Sequence, residues 1–429
     1  MSTALSAEAQ AARHGDAQAL AAALAAARAH TLRLFDAWRQ ALPADMAVRY
    51  APDLNPPRWE LGHLAWFEER WIARYPERLR GAAADPDTAL AASLLPQADR
   101  LYDSSRVAHT TRWQLDLPDA DRTLRYAAQV RERTLALLAL SGCDDHCLYF
   151  FRWALLHEAM HAEAAVYTAQ TLALPIAAAL PQAGPAAGPA GRVACPGGPF
   201  VLGAPTLDSP TRDSQTPGSQ TPGLQTPGLQ TPGFVFDNER GAHAVELPPF
   251  EIDRSPVTWA AYRTFIDAGG YDEPAHWSAE GWAWRQRHST GRPRHVTVDD
   301  GVWQRAAFGR WVALADDEPV MHLSHHEALA WCRWAGRRMP SEAEWEWAAL
   351  HADGFRWGEV WEWTASPFVP YPGFEPHPYR DYSAPWFDGR PVLRGGSFAT
   401  TPWLKHPRYR NYFPADRNDL FAGFRSCAA

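Results

Sequence analysis

The run LLHEAMHAE at residues 155–163 carries His157 and His161, four positions apart inside an apolar stretch. On a helix that spacing stacks both imidazoles on one face, within reach of a single ion. Helical spacing extends from about 145 to 173 and stops before Pro175. Upstream, RWELGHLAWFEERWIARY (58–75) follows Asn55-Pro56-Pro57, which predicts a second helix with Asn55 as its cap and proline in its first turn. That helix carries His63 directly after Gly62, a residue that allows close approach. Three histidines from two helices make a facial set that leaves other coordination positions open. Neutral imidazole suits iron, zinc, copper or nickel, so the spacing does not choose the metal. Glu163 either orients a ligand through its other ring nitrogen or is itself a ligand beside two histidines. Taken alone, an H-x3-H pair is also an ordinary feature of helix surfaces. HEAMH begins like a zinc-protease motif, but no third ligand follows at the usual spacing.

Two more helices are predicted nearby. One covers about 17–42 and ends before Pro43; the other covers about 119–141, with Gly142 at its end. Four long helices predict an up-and-down bundle over 1–175, with a long connection between the second and third. Residues 176–192 are rich in Ala, Pro and Gly and read as a linker. From 193 the pattern changes to short strands, turns and aromatics, with helices predicted at 324–336 and 341–350. An α+β domain over 193–429 follows, so the fold class is a helical bundle joined to an α+β domain. Inside it QTPG recurs at 215–218, 220–223, 225–228 and 230–233. That repeat cannot bury an apolar face, and 209–233 reads as a flexible insert without a catalytic role.

Composition sets the bounds. The 429 residues are 46% hydrophobic and 21% charged, the balance of a soluble globular protein of two domains. A formal charge of −8 without a basic block argues against nucleic-acid binding. No signal peptide and no apolar run of membrane-spanning length stand out, so no membrane partner is expected. Five scattered cysteines fit a cytoplasmic protein with free thiols. The 21 tryptophans suggest aromatic-lined packing or pockets.

The C-terminal half resembles the formylglycine-generating-enzyme-like fold, a C-type-lectin-related domain. The resemblance rests on CPGGPFVLG (195–203), FDNE (236–239), FEIDRSPVT (250–258), RRMPSEAEWEWAA (337–349), VWEWTASPF (360–368), VLRGGSF (392–398) and FAGFRSC (421–427). The N-terminal half resembles the DinB-like bundle. Their fusion, with WELGH before and HEAMHAE after, resembles the ergothioneine sulfoxide synthase family. The resemblance implies Fe(2+) and O2 as the means of joining a chalcogen atom to C2 of the imidazole of hercynine. It implies His63, His157 and His161 as the iron ligands. PYRDYS (378–383) resembles the family segment with two tyrosines three apart, which implies Tyr379 as a catalytic proton donor and Tyr382 as a substrate contact. On the residues alone, ordinary aromatic packing is the favoured reading of both tyrosines.

The chain also departs from the family pattern. Met160 stands where a glutamine can precede the second histidine of HxxxH. RNYFPADR (410–417) offers Tyr412, Phe413 and Arg417 as substrate contacts, with Phe413 near a position where one branch has an aspartate. DSSRVAH (103–109) offers Arg106, in a setting unlike the usual donor-binding segment. A donor without amino-acid charges accounts for both changes. WELGHLAWFEERW and YDSSRVAHTTRW resemble the selenoneine synthase branch, which implies a selenosugar donor. The alternative is ergothioneine sulfoxide synthesis from a thiol donor such as γ-glutamylcysteine. Two further readings compete: a lectin-like binding module on a metal scaffold, and a formylglycine-generating oxidase. The oxidase needs a cysteine pair near the RYR segment, and LKHPRYRN (404–411) has none.

Overall fold

The computed structural model describes residues 5–142, 144–181, 184–205, 233–288 and 290–429. The QTPG insert read at 209–233 lies, apart from Gly233, outside the described residues. Six helices form the N-terminal part: α1 (Ala7–His14), α2 (Ala17–Ala41), α3 (Pro57–Glu68), α4 (Ala98–Tyr102), α5 (Ala120–Ala139) and α6 (Asp145–Thr171). Aspartates start three of them. Asp16, Asp119 and Asp144 each accept a backbone N–H from the first turn, which satisfies a donor the helix cannot. Asn55 does not cap α3 as expected: Pro56 is the N-cap and makes no side-chain bond. The predicted second helix also loses α geometry early, passing into a π-helical turn at Glu69–Ala73. α2, α3, α5 and α6 pack against one another, and Ala-rich α2 lets its partners approach closely.

The C-terminal part contains β1 (Arg192–Cys195), β2 (Gly198–Leu202), β3 (His243–Leu247), β4 (Phe250–Asp253), α7 (Trp259–Asp267), α8 (Ala279–Arg287), β5 (Val296–Asp299), β6 (Val302–Ala307) and β7 (Arg310–Ala313). It continues through α9 (His325–Trp334), β8 (Arg337–Arg338), α10 (Glu342–His351), β9 (Trp361–Pro367), β10 (Pro391–Arg394), β11 (Asn411–Tyr412), β12 (Ala422–Phe424) and β13 (Cys427–Ala428). One sheet has the order β1-β4-β13-β8 and another β11-β10-β9-β12; β2-β3 and β5-β6-β7 make smaller ones. Ser324 with Glu327, and Ser341 with Glu344, form reciprocal capping boxes that start α9 and α10. Arg394, Arg410 and Arg425 are fully buried against Glu346, Glu342 and Glu362, a set of ion pairs that ties α10 and β9 to β10 and the C-terminal strands.

The two parts share one hydrophobic core, in which Trp59, Phe67 and Trp153 belong to the same cluster as Trp361, Trp363 and Tyr409. Polar links cross the same boundary. Arg13 makes a two-toothed ion pair with Glu239 at 2.7 and 2.9 Å, and Trp361 donates to Glu163 at 2.7 Å. The Trp361 bond holds β9 against α6, and a Tyr149–His377 bond at 2.7 Å holds the start of the 377–383 loop there. No helix among the described residues is long and apolar enough to cross a membrane. Cys147, Cys195, Cys332 and Cys427 are free thiols.

Candidate metal centre and adjoining cavity

The helical period does what its spacing predicts. His157 and His161 lie one turn apart on α6, with ring centroids 4.4 Å apart. α3 brings the His63 ring to 5.2 Å from His157 and 4.9 Å from His161. One nitrogen from each of the three lies within 4.8 Å of the other two, close enough to share one ion. The expected role of Gly62 changes. A Cβ there would stand 2.2 Å from the Tyr102 ring, so the close approach it permits is that of Tyr102. This seats the Tyr102 backbone beside His63, whose Nδ1 bonds the Tyr102 carbonyl at 2.8 Å.

Burial keeps two of the three rings neutral. Desolvation, then His161, pushes the His63 imidazole down to about 3. The same causes hold His157 well below its ordinary value. Both rings are therefore unprotonated near neutrality, the form in which imidazole binds metal. Phe67 stacks on His157 at 3.6 Å and Trp59 on His63 at 4.7 Å, so the ligand rings are walled by aromatics.

The carboxylate beside the triad is Glu60, which the sequence reading missed. Its Oε2 lies 2.6 Å from His161 Nδ1. Glu163, expected to orient a ligand or to be one, does neither. Its Oε1 accepts from Trp361 at 2.7 Å and from Ser397 at 2.6 Å, because α6 turns it toward the C-terminal part. Beneath the triad, Arg28 and Arg131 each bond both Glu68 and Glu158. This buried quartet joins α2, α3, α5 and α6 and fixes the rotation of the two ligand-bearing helices. Glu158 is chain neighbour to His157, and Glu68 lies one residue past Phe67. Removing one partner of a buried ion pair costs about 3–5 kcal/mol, so the quartet holds its geometry firmly.

The tyrosine loop reaches the triad from the other part. Tyr379 packs against Phe67, Trp153 and His157 at 5.1, 5.4 and 6.4 Å between centroids. Burial pushes its phenol up to about 12, with a hydrogen bond from Ser104 partly offsetting this, so it holds its proton at neutral pH. Tyr382 stacks on Phe236 at 4.9 Å, and its hydroxyl donates to Tyr409 at 3.3 Å. FDNE holds this loop: Asn238 bonds Ser383 at 3.1 Å, and Ser383 bonds Asp237.

A cavity of about 180 Å³ opens beside His161. Its walls include Met160, Glu163, Tyr167, Trp361, Tyr409, Asn411 and Phe413. Met160 and Phe413 thus stand where substrate contacts were expected. Arg106 does not: its side chain is 77% exposed and pairs with Asp103 at 3.5 Å, carried outward by its loop. Arg417 lies behind Phe413, 4.9 Å from that ring, and is taken up by Asp419 at 2.6 Å. Tyr412 stacks on Phe368 at 3.9 Å and directs its hydroxyl to the Tyr382 carbonyl, which turns it from the cavity. Among the described residues, no Arg or Lys lines this space.

Comparison with known proteins adds an independent line. Residues 178–359 match the model of the sulfatase-modifying factor enzyme 1-like domain. The chain is 34% identical to a hercynine oxygenase of Mycolicibacterium smegmatis, over 95% of this chain and 98% of that one. It is 35% identical to a hercynine oxygenase of Mycobacterium tuberculosis, over 95% and 97%. A formylglycine-generating enzyme of Streptomyces coelicolor is 32% identical over only 29% of this chain and 44% of its own.

Proposed function

We propose, on the premise that this chain belongs to the hercynine oxygenase family, that it joins selenium to C2 of hercynine with a selenosugar as donor and O2 as oxidant. The division of labour we infer is a DinB-like bundle over 1–175 bearing the ligands and a formylglycine-generating-enzyme-like domain over 193–429 supplying the tyrosines and most of the cavity. The observation that carries the reading is the pairing of a three-histidine set with an aromatic cavity that contains one buried carboxylate.

The donor set fits Fe(2+). Three neutral imidazoles converge, burial keeps at least two of them unprotonated, and the nitrogens of His63 and His161 that face outward are held by Tyr102 and Glu60. His63, His157 and His161 would hold the iron, and its redox chemistry would make dioxygen usable as the oxidant.

The chain's own residues account for substrate choice. A trimethylammonium group has no hydrogen to donate, so it is recognised by aromatic faces and a fixed negative charge. Trp361, Tyr409, Tyr167 and Phe413 supply the faces and Glu163 the charge, its ionised form supported by hydrogen bonds that oppose the upward push of burial. Trp361 and Ser397 both donate to Glu163, an arrangement suited to a carboxylate. The donor follows from the same inventory. γ-Glutamylcysteine carries two carboxylates and an ammonium, and burying these without partners costs several kcal/mol. Among the described residues the cavity offers no cation, Arg106 faces solvent, and Arg417 is already paired. A sugar needs hydrogen-bonding groups and an aromatic wall, which Asn411, Tyr409 and Phe413 provide.

In the proposed reaction the C2–H and Se–H bonds break, and C–Se and Se–O bonds form. One oxygen atom of O2 goes to the selenoxide and the other to water, which balances the four electrons. Tyr379 would give a proton at its hydroxyl without bringing charge into a dry site; its protonated phenol and its contact with His157 support this role. Elimination from the selenoxide breaks the Se–sugar bond and leaves a selenenic acid, which a two-electron reduction by an external thiol would convert to selenoneine with loss of water. The test is a competition assay with iron-loaded protein, hercynine, O2, 1-seleno-β-D-glucose and γ-glutamylcysteine. A higher kcat/KM for the selenosugar is expected. A higher value for γ-glutamylcysteine moves the assignment to ergothioneine sulfoxide synthesis, and no hercynine-derived product with either donor overturns the reading.

A further inference from the structure

The group that anchors His161 does not end at Glu60. Glu60 Oε2 lies 2.6 Å from His161 Nδ1, and its other oxygen accepts from Asn55 Nδ2 at 2.5 Å. The carbonyl end of the same amide accepts from Arg112 Nη1 at 2.7 Å. The Asn55 amide is thereby given one direction, oxygen toward the guanidinium and nitrogen toward the carboxylate. His161 is left with Nδ1–H as its donor and Nε2 as its free lone pair. Arg112 also lies flat over Trp59 at 4.0 Å, and Trp59 stacks on His63 at 4.7 Å and 11°. The Ser104 and Val107 carbonyls, each at 3.4 Å, hold the far edge of the guanidinium. One cation therefore supports two of the three candidate ligands, His161 through hydrogen bonds and His63 through stacked rings.

This explains what Asn55 does in place of capping α3. It also explains why Arg112, half-buried and with burial pulling its pKa down, stands so close to the triad. A carboxylate on the outer nitrogen fixes the tautomer of a ligating imidazole and raises its donor strength. A charged hydrogen-bond chain fixes that carboxylate in turn.

We propose that Arg112, Asn55 and Glu60 form a positioning relay that sets the orientation and donor strength of His161 for a divalent metal. The proposal rests on the reading that the triad binds metal, but it is independent of which chalcogen donor is used. The test is anaerobic titration of the full-length apoprotein with Co(2+), followed by visible d–d absorption, for wild type, Glu60→Gln, Asn55→Ala and the double variant. Circular dichroism of each apoprotein reports folding. Glu60→Gln is expected to weaken Co(2+) binding roughly 10–100-fold and to shift the absorption bands. Asn55→Ala is expected to weaken it by a smaller factor in the wild-type background and to add nothing in the Glu60→Gln background. Binding by Glu60→Gln within twofold of wild type, with unchanged bands, overturns the relay. So does an equal Asn55→Ala effect in both backgrounds, which also decides the matter if Glu60→Gln alone is destabilised. Failure of the wild-type protein to bind one Co(2+) overturns the metal reading itself, and the relay with it.

Discussion

Among the described residues, two clusters of histidines lie half-buried to buried, and they differ in how their rings are held. His63, His157 and His161 converge between α3 and α6. His295 and His322 meet beside the β5–β6 hairpin, with ring centroids 4.7 Å apart at 69°. Burial depresses the pKa in both groups. The outer nitrogens separate them. In the triad, Tyr102 and Glu60 hold those of His63 and His161. In the pair, Nε2 of His295 and both nitrogens of His322 lack a well-formed hydrogen-bond partner. Both members of the pair also sit at positive φ, 63° and 62°, a conformation that non-glycine residues seldom adopt. Burial and neutrality alone do not mark a ligand set; convergent nitrogens with anchored far sides do.

The largest test of that contrast is at the aromatic wall. Tyr379 stands over the triad, while the ring beside His322 is Phe421, at 5.1 Å and without a hydroxyl. Tyr379→Phe makes the two walls alike. Turnover is expected to fall on the order of 10²–10⁴-fold while metal and hercynine still bind. Product formation measured by mass spectrometry at an unchanged rate would reduce Tyr379 to a packing residue.

A smaller effect concerns the cavity beside His161. Phe413→Asp places an anion on its wall, in front of Arg417. The ratio of kcat/KM values should move toward γ-glutamylcysteine, about tenfold, as one well-placed charged contact can give. A ratio unchanged or moved toward the selenosugar would show that the donor does not meet Phe413.

The smallest effect is on stability. Burial, followed by Arg294, pushes His295 down to about 4. The folded pKa lies below the unfolded value of 6.5, so between these values the unfolded chain binds more protons. The contribution is complete above pH 6.5 and is lost as the pH falls toward about 4. His295→Gln should flatten the dependence of unfolding free energy on pH in that window by close to one proton, leaving metal content unchanged. A slope equal to that of wild type would contradict the burial argument.

What the sequence made legible follows from period and spacing. The four-residue step from His157 to His161 fixed their common face, and the helices expected at 324–336 and 341–350 are α9 and α10. Asp119 and Asp144 begin α5 and α6 within a residue of the expected starts. Glu60 was on the page in WELGH, but spacing along one helix does not say which neighbouring helix a side chain meets. Arg112 was further out of reach, since Asn55 lies 57 positions away along the chain. The quartet of Arg28, Glu68, Arg131 and Glu158 draws on four helices and left only one signal, charged residues inside apolar helical runs. Arg106 and Arg417 were sound candidates by residue type, yet their partners Asp103 and Asp419 lie two or three residues away and claim them first.

The central claim is that His63, His157 and His161 hold one iron. Elemental analysis of anaerobically iron-loaded protein tests it most directly, comparing wild type with His157→Ala, His161→Ala and His322→Ala, each checked for native helix content. About one iron per chain is expected in wild type and in His322→Ala, and almost none in the other two. Full iron occupancy in both His157→Ala and His161→Ala, or its loss in His322→Ala alone, would contradict the account.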